Sequence, residues 1–181
     1  MQLANRMDAI TPFYVMELLR RAKQLEAEGR DIIHMEIGEP DFATPNPIIE
    51  AGVAYLKTGQ VKYTPAAGLP ELREKIAQFY WQKYKITVPV ERIFITPGAS
   101  GAFLLALGVS LNAGDEILLA DPSYPYNQNF IHLYDGQAKY VPVDEDTAYQ
   151  LSADLVYKHW QAQTRGVLIA SPSNPTGTII E

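Results

Sequence analysis

RIFITPGASGAFLLALGVSLNAGDEILLADPSYPYN, residues 92 to 127, is the stretch whose reading decides the fold. It opens on a short apolar run, RIFIT, and breaks at Pro97 and Gly98. It then continues as an Ala- and Leu-rich segment from about Ser100 to Leu111 and re-emerges as a second apolar run, EILLA. That is strand, helix, strand. The rhythm persists downstream, with a helix around residues 126 to 134, a strand AKYVPV, a helix at about 152 to 162 with Ser152 placed to cap it, and a last strand GVLIA. Four strand candidates alternating with three helices predict a right-handed, mostly parallel α/β sheet flanked by helices.

Upstream the pattern is different. Val15, Leu18, Leu19, Ala22 and Leu25 recur at helical spacing within residues 14 to 28, and Gly29 stops that helix. DIIHMEIG reads as a short strand, EPDFATPNP as an extended, proline-rich loop, and GQVKYTPAAGLP as a loop between helices at 47 to 57 and 69 to 84.

At 181 residues with 47% hydrophobic content the chain can bury a substantial core. No apolar run approaches the ~20 residues of a membrane span, and the N-terminus has no signal-like apolar core, so a cytoplasmic protein with no membrane role is expected. With no cysteine there is no disulfide, thiol nucleophile or thiolate metal site. A formal charge of −6 with scattered Lys and Arg gives no footprint for nucleic acid. His34, His132 and His159 lack ligand-like spacing, so no metal is expected. The cluster Asp144, Glu145 and Asp146 reads as a solvated turn, Trp81 and Trp160 as packing residues, and Arg73 as a surface helix residue.

Ligands of a parallel sheet bind at the carboxyl ends of its strands, so the turns after RIFIT, EILLA and GVLIA belong together. They are TPGASGAF, DPSYPYN and SPSNPTG. Small residues from Gly98 to Gly101, where a strand gives way to a helix, let free backbone N–H groups approach a phosphate. The turn is neither a Walker A loop nor a G-x-G-x-x-G site. Ser100 is either a hydroxyl donor to that anion or, taken alone, the helix cap. Tyr124 either lays its ring over a planar ligand or packs in the core. Asn174 either offers its amide to an anionic ring oxygen or carboxylate, or serves turn geometry. A phosphate cradle, a stacking ring and an amide donor on one edge describe a pocket for a phosphorylated aromatic cofactor, and pyridoxal phosphate fits.

IGEPDFATP, YTPAAGLPELREKIA, TPGASGAF, DPSYPYN and SPSNPTG also occur in the order and spacing of a known family. Through them the chain resembles the class I/II aminotransferases of the fold type I pyridoxal-phosphate enzymes. The resemblance implies the N-terminal portion only: residues 1–45 as an N-terminal arm and part of the small domain, and 46–181 as a partial cofactor-binding large domain. It implies that Ala99, Ser100 and Gly101 cradle the phosphate, that Tyr124 stacks on the pyridine ring, and that Asn174 binds the ring oxygen and the substrate carboxylate. By the same token Gly38 contacts that carboxylate through its backbone, and Tyr63 reaches the phosphate of the neighbouring subunit in a homodimer. The family's Schiff-base lysine and the Asp on its pyridine nitrogen follow NPTG, so both are expected beyond Glu181. No motif nominates Lys57, Lys62, Lys75, Lys83, Lys85 or Lys139 in their place. The resemblance further implies cis bonds at Asp121–Pro122 and Asn174–Pro175.

The expected function is therefore half of an aminotransferase moving an amino group between an amino acid and a 2-oxo acid, inactive as this chain. Another fold type I chemistry, a lyase or acyltransferase, and a non-catalytic dimerising module are the alternatives. Which amino acid is handled is not legible.

Overall fold

The computed structural model describes residues 2–180. They form two compact units, one of Met1–Glu36 with Ala99–Glu181 and one of Ile37–Gly98. In the first unit β1 (Glu116–Asp121), β2 (Gln137–Pro142) and β3 (Thr164–Leu168) make an all-parallel sheet in the order β2-β1-β3. The central strand, EILLAD, is buried on both faces, which is why its sequence is an unbroken apolar run rather than an alternation.

Successive β1 side chains serve two separate cores. Ile117 and Leu119 point to a face covered by Leu107 of α4 (Gly98–Ser110) and by Phe130 and Ile131 of α5 (Asn127–His132). Leu118 points to the other face, among Val141, Val143 and Leu151, with Leu155 and Val156 of α6 (Ala153–His159) packed beyond. Helices thus cover both faces of a parallel sheet, the layered arrangement expected of alternating strands and helices. At the amino ends of the strands the backbone is tied by polar contacts: Thr164 Oγ1 donates to buried Glu116 Oε1 at 3.0 Å, and Arg165 pairs with Asp115 at 3.0 Å. An N–H bond from Asn112 and the Arg165 charge hold the Asp115 carboxyl below its usual range.

Before the sheet, the arm runs through a 3-10 turn (Asn5–Ala9) into α1 (Tyr14–Ala27). Beyond that helix both ring nitrogens of His34 face carboxylates, Nδ1 to Glu36 at 2.7 Å and Nε2 to Glu26 at 2.9 Å. These bonds, Glu36 first, raise the His34 pKa above its ordinary value. A raised pKa means that the clamp is at full strength below the unfolded value near 6.5 and is lost as pH rises through the folded one. The His34 ring-proton titration is expected to have its midpoint above 6.5 and to fall back further in Glu36→Gln than in Glu26→Gln; a midpoint at or below 6.5 would show the clamp to be absent in solution.

The second unit carries α2 (Asn46–Lys57) and α3 (Pro70–Tyr84), each begun with proline in its first turn, where the missing N–H costs nothing. α3 ends at Lys85 in the left-handed conformation.

Several sequence expectations need correction. RIFIT and DIIHMEIG are not strands. Ile93 is extended, but the segment joins no strand ladder: Ile95 N–H donates at 3.0 Å to Ala67 O, in the loop before α3. Apolar composition does not make a strand without a ladder partner. Arg73 is not a plain surface residue, because its guanidinium donates to Ile93 O at 2.8 Å and Val90 O at 2.7 Å. Trp81 and Trp160 are about half covered, with 54% and 47% of each exposed. Ser152 caps α6 as expected, accepting from Leu155 N–H at 3.2 Å. The acidic cluster is an exposed 3-10 turn (Glu145–Thr147) closed by an Asp144–Thr147 capping box.

Candidate cofactor site

Because β1 pairs in parallel with β3, Leu119 opposite Leu168, the two chains leave the sheet on the same edge. The loop after β1 carries Tyr124 and the loop after β3 carries Asn174. The two residues line one cleft, together with Ser123, Asn127, Gln150 and Ser173. α4 ends five residues before β1 begins and packs along the sheet through Leu107, so it runs back against the strands. Ala99, Ser100 and Gly101, in its first turn, are not among the residues that line this cleft.

The N–H groups of a helix's first turn have no intrahelical acceptor, and their dipole favours an anion. Gly98, at φ +71, supplies the left-handed residue that turns the chain into this helix. Thr96 Oγ1 donates to Gly98 O at 2.8 Å. Ser100 is the third residue of α4 and hence not its N-cap. Ala99 and Ser100 are exposed and Gly101 is half-buried.

The loop that carries Asn174 is held from inside and outside. Ser173 N–H donates to Thr178 O at 2.8 Å, Gly177 N–H to Ser173 O at 2.7 Å with Gly177 at φ +72, and Ile180 N–H to Ser171 Oγ at 2.9 Å. From outside, buried Gln150 donates its side-chain amide to Thr178 O at 2.9 Å. Asp121–Pro122 and Asn174–Pro175 are cis, as is Ser171–Pro172. Asn174 itself is exposed and Tyr124 half-buried.

One polar atom in the cleft is left without a partner. Ser123 Oγ is buried and makes no hydrogen bond, an arrangement that costs about 1–3 kcal/mol unless something supplies the missing partner. Beside it, burial and the nearby Asp121 carboxylate raise the Tyr140 phenol above its usual pKa. The orphaned hydroxyl, the aromatic ring and the exposed amide that share the cleft fit a planar, hydrogen-bonding ligand.

Gly38 and Tyr63 belong to the second unit. Both are exposed, and Tyr63 presents its entire side chain, with Val61 and Lys62 beside it. Sequence reasoning missed Ser123 and Asn127, although they flank Tyr124 inside the quoted turn. It also missed Gln150, whose segment carries no motif.

With this geometry in hand, comparison with known proteins gives the family. The model of Aminotransferase class I and II matches residues 30–181, and the chain belongs to that family. It is 38% identical to a (5-formylfuran-3-yl)methyl phosphate transaminase of Methanocaldococcus jannaschii, covering 99% of this chain and 46% of that protein. It is 36% identical to a valine–pyruvate aminotransferase of Mycobacterium tuberculosis, over 94% of this chain and 44% of the relative. Among solved structures, an aminotransferase from Mycobacterium tuberculosis superposes with a TM-score of 0.93 at 35% identity, covering 99% of this chain and 46% of its own. The Thermus thermophilus aspartate aminotransferase with maleate gives 0.91 at 27% identity, over 97% and 46%. The chain thus spans a little under half the length of these relatives, and its sheet is part of a fold type I large domain. Membership of the family implies the use of pyridoxal phosphate. No helix among the described residues is long and apolar enough to cross a membrane.

Proposed function

We propose that the chain is the N-terminal portion of a cytoplasmic, pyridoxal-phosphate-dependent aminotransferase that moves an amino group between an amino acid and a 2-oxo acid. Residues 46–181 are then its partial large domain, and residues 1–45 its arm and the start of the small domain. The observation that carries the reading is a cleft at the carboxyl edge of the sheet, which Tyr124 and Asn174 reach from the loops after adjacent strands and which the unpartnered Ser123 also lines.

In this reading Ala99, Ser100 and Gly101 hold the phosphate through backbone N–H groups and the Ser100 hydroxyl. Tyr124 stacks on the ring and excludes water from one face. Asn174 donates its amide to the ring oxygen and orients the substrate carboxylate, which Gly38 also meets through its backbone. Tyr63, fully exposed, serves the neighbouring subunit of a homodimer. Pyridoxal phosphate, when bound, supplies the electron sink that lets a proton leave the substrate's alpha carbon. Moving that proton requires a base at the cleft, and no lysine lines it. In this reading the chain alone binds the cofactor without turning over.

Equilibrium dialysis of the purified chain against pyridoxal phosphate, with pyridoxal lacking the phosphate as control, tests the reading alongside an amino-transfer assay. Saturable binding that needs the phosphate, without turnover, is the expected result. Equal binding of both compounds would overturn the cradle, and turnover would overturn the inactivity.

A further inference from the structure

Asn129, on α5, is 3% exposed and directs its side chain at one residue 118 positions away. Its Nδ2 donates to Thr11 O at 3.0 Å, and its Oδ1 accepts from Thr11 N–H at 3.3 Å, so one amide satisfies both polar groups of one backbone residue. A second fastening lies five residues earlier. Arg6 donates to Leu133 O at 2.9 Å and pairs with Asp135 at 3.3 Å, just past the end of the same helix. The arm is thus pinned to α5 at two points, the inner one through a buried Asn129 side chain and an exposed Thr11.

Two residues beyond Thr11, after Pro12, the Phe13 ring meets two tyrosines of the loop that follows β1. It stands edge-on to Tyr124, with centroids 6.0 Å apart at 71°, and tilted against Tyr126 at 5.3 Å and 52°. Edge-to-face contact is directional, because the positive edge of one ring seeks the negative face of the other. It therefore constrains the angle of Tyr124 and not merely its burial.

We propose that Asn129 is a positioning residue for the ring that borders the cleft: by fastening Thr11 it holds Phe13 against Tyr124 and sets the angle at which Tyr124 faces a bound ligand. For its functional meaning this rests on the reading of the cleft as a pyridoxal-phosphate site. The chemistry is specific to the amide. Aspartate at this position keeps the acceptor for Thr11 N–H but has no donor for Thr11 O, and leucine has neither.

The test uses the chain with isotope-labelled tyrosine rings, as wild type, Asn129→Leu, Asn129→Asp and Phe13→Leu. Amide exchange at Thr11, the Tyr124 ring-proton resonances and pyridoxal phosphate affinity are measured in each, with thermal unfolding as a control for global stability. In Asn129→Leu, exchange at Thr11 is expected to rise about tenfold, the Tyr124 resonances to move as they do in Phe13→Leu, and affinity to fall about threefold to tenfold in both. Asn129→Asp is expected to fall between wild type and Asn129→Leu. Unmoved Tyr124 resonances in Asn129→Leu, with Thr11 exchange raised, would overturn the proposal. Should that variant fail to fold, Phe13→Leu decides, since it leaves both Asn129 bonds in place; unmoved Tyr124 resonances there also overturn it. A wild-type chain that binds no pyridoxal phosphate overturns the cofactor reading alone, because the resonances still decide the latch.

Discussion

Replacing Asn174 with alanine is expected to weaken pyridoxal phosphate binding about tenfold, and replacing it with aspartate about a hundredfold. In the proposed reading the amide donates to an oxygen that carries negative charge in the free cofactor, and hydrogen bonds to charged groups contribute about 1.5–3 kcal/mol. Alanine removes the donor and admits water in its place. Aspartate matches the shape but turns a donor into a like charge, so it adds repulsion to the loss. The ordering is therefore more informative than either value. Asn174 is exposed and its loop is closed by bonds that do not use its side chain, so neither change should unfold the loop. Dialysis at fixed ionic strength measures both, and equal affinity of Asn174→Asp and wild type would remove Asn174 from the site.

The sheet was legible because its strands are short apolar runs separated by turn chemistry and helical spacing. EILLA, AKYVPV and GVLIA all fall on strands, displaced at their ends by no more than two residues. RIFIT has the same composition and fails, because a strand is defined by its neighbour. Sequence pattern reports the burial of a segment and not the identity of the segment beside it. The same distinction separates the proposed site residues that the sequence marks from those that it does not. Tyr124 and Asn174 stand in turns whose Pro, Gly and Asn content marks them locally. Gln150 and Asn129 act on residues 28 and 118 positions away, and nothing in their own neighbourhood signals it. The His34 clamp was hidden for a similar reason, since Glu26 lies on the last turn of a helix and Glu36 beyond it, and only the fold brings both to one imidazole.

Polarity along the strands completes the division of labour within the first unit. The charged and hydroxyl side chains at the amino edge are mutually satisfied, Asp115 with Arg165 and Glu116 with Thr164. At the carboxyl edge Ser123 is left unsatisfied and Asn174 faces solvent. A buried polar group without a partner is costly, so the imbalance is what the proposed ligand site at the carboxyl edge requires.

Gly68→Ala is expected to destabilise the second unit by about 3 kcal/mol. Gly68 sits in YTPAAGLP at φ +97, a conformation that L side chains rarely adopt, so alanine incurs about 1 kcal/mol from the backbone alone. The remainder comes from contact. A Cβ there would lie 2.3 Å from Ile95 Cγ1 and 2.6 Å from Ile95 Cβ. Rotating χ1 can move Cγ1 but not Cβ, which is fixed to the backbone, and overpacking of this kind costs about 1–3 kcal/mol. Nor can the backbone retreat cheaply, because Ala67 O accepts from Ile95 N–H at 3.0 Å and α3 begins at Pro70. Gly59→Ala separates the two contributions. Gly59 has φ +66 but nothing within 4 Å of an added Cβ, so it carries the backbone strain without the clash. Urea unfolding of both variants, followed by amide exchange at Ile95, should show Gly59→Ala losing about 1 kcal/mol and Gly68→Ala about 2 kcal/mol more. Equal losses would mean that the Gly68–Ile95 contact is not formed in solution, and with it would go the packing that fixes the segment three residues before Gly98.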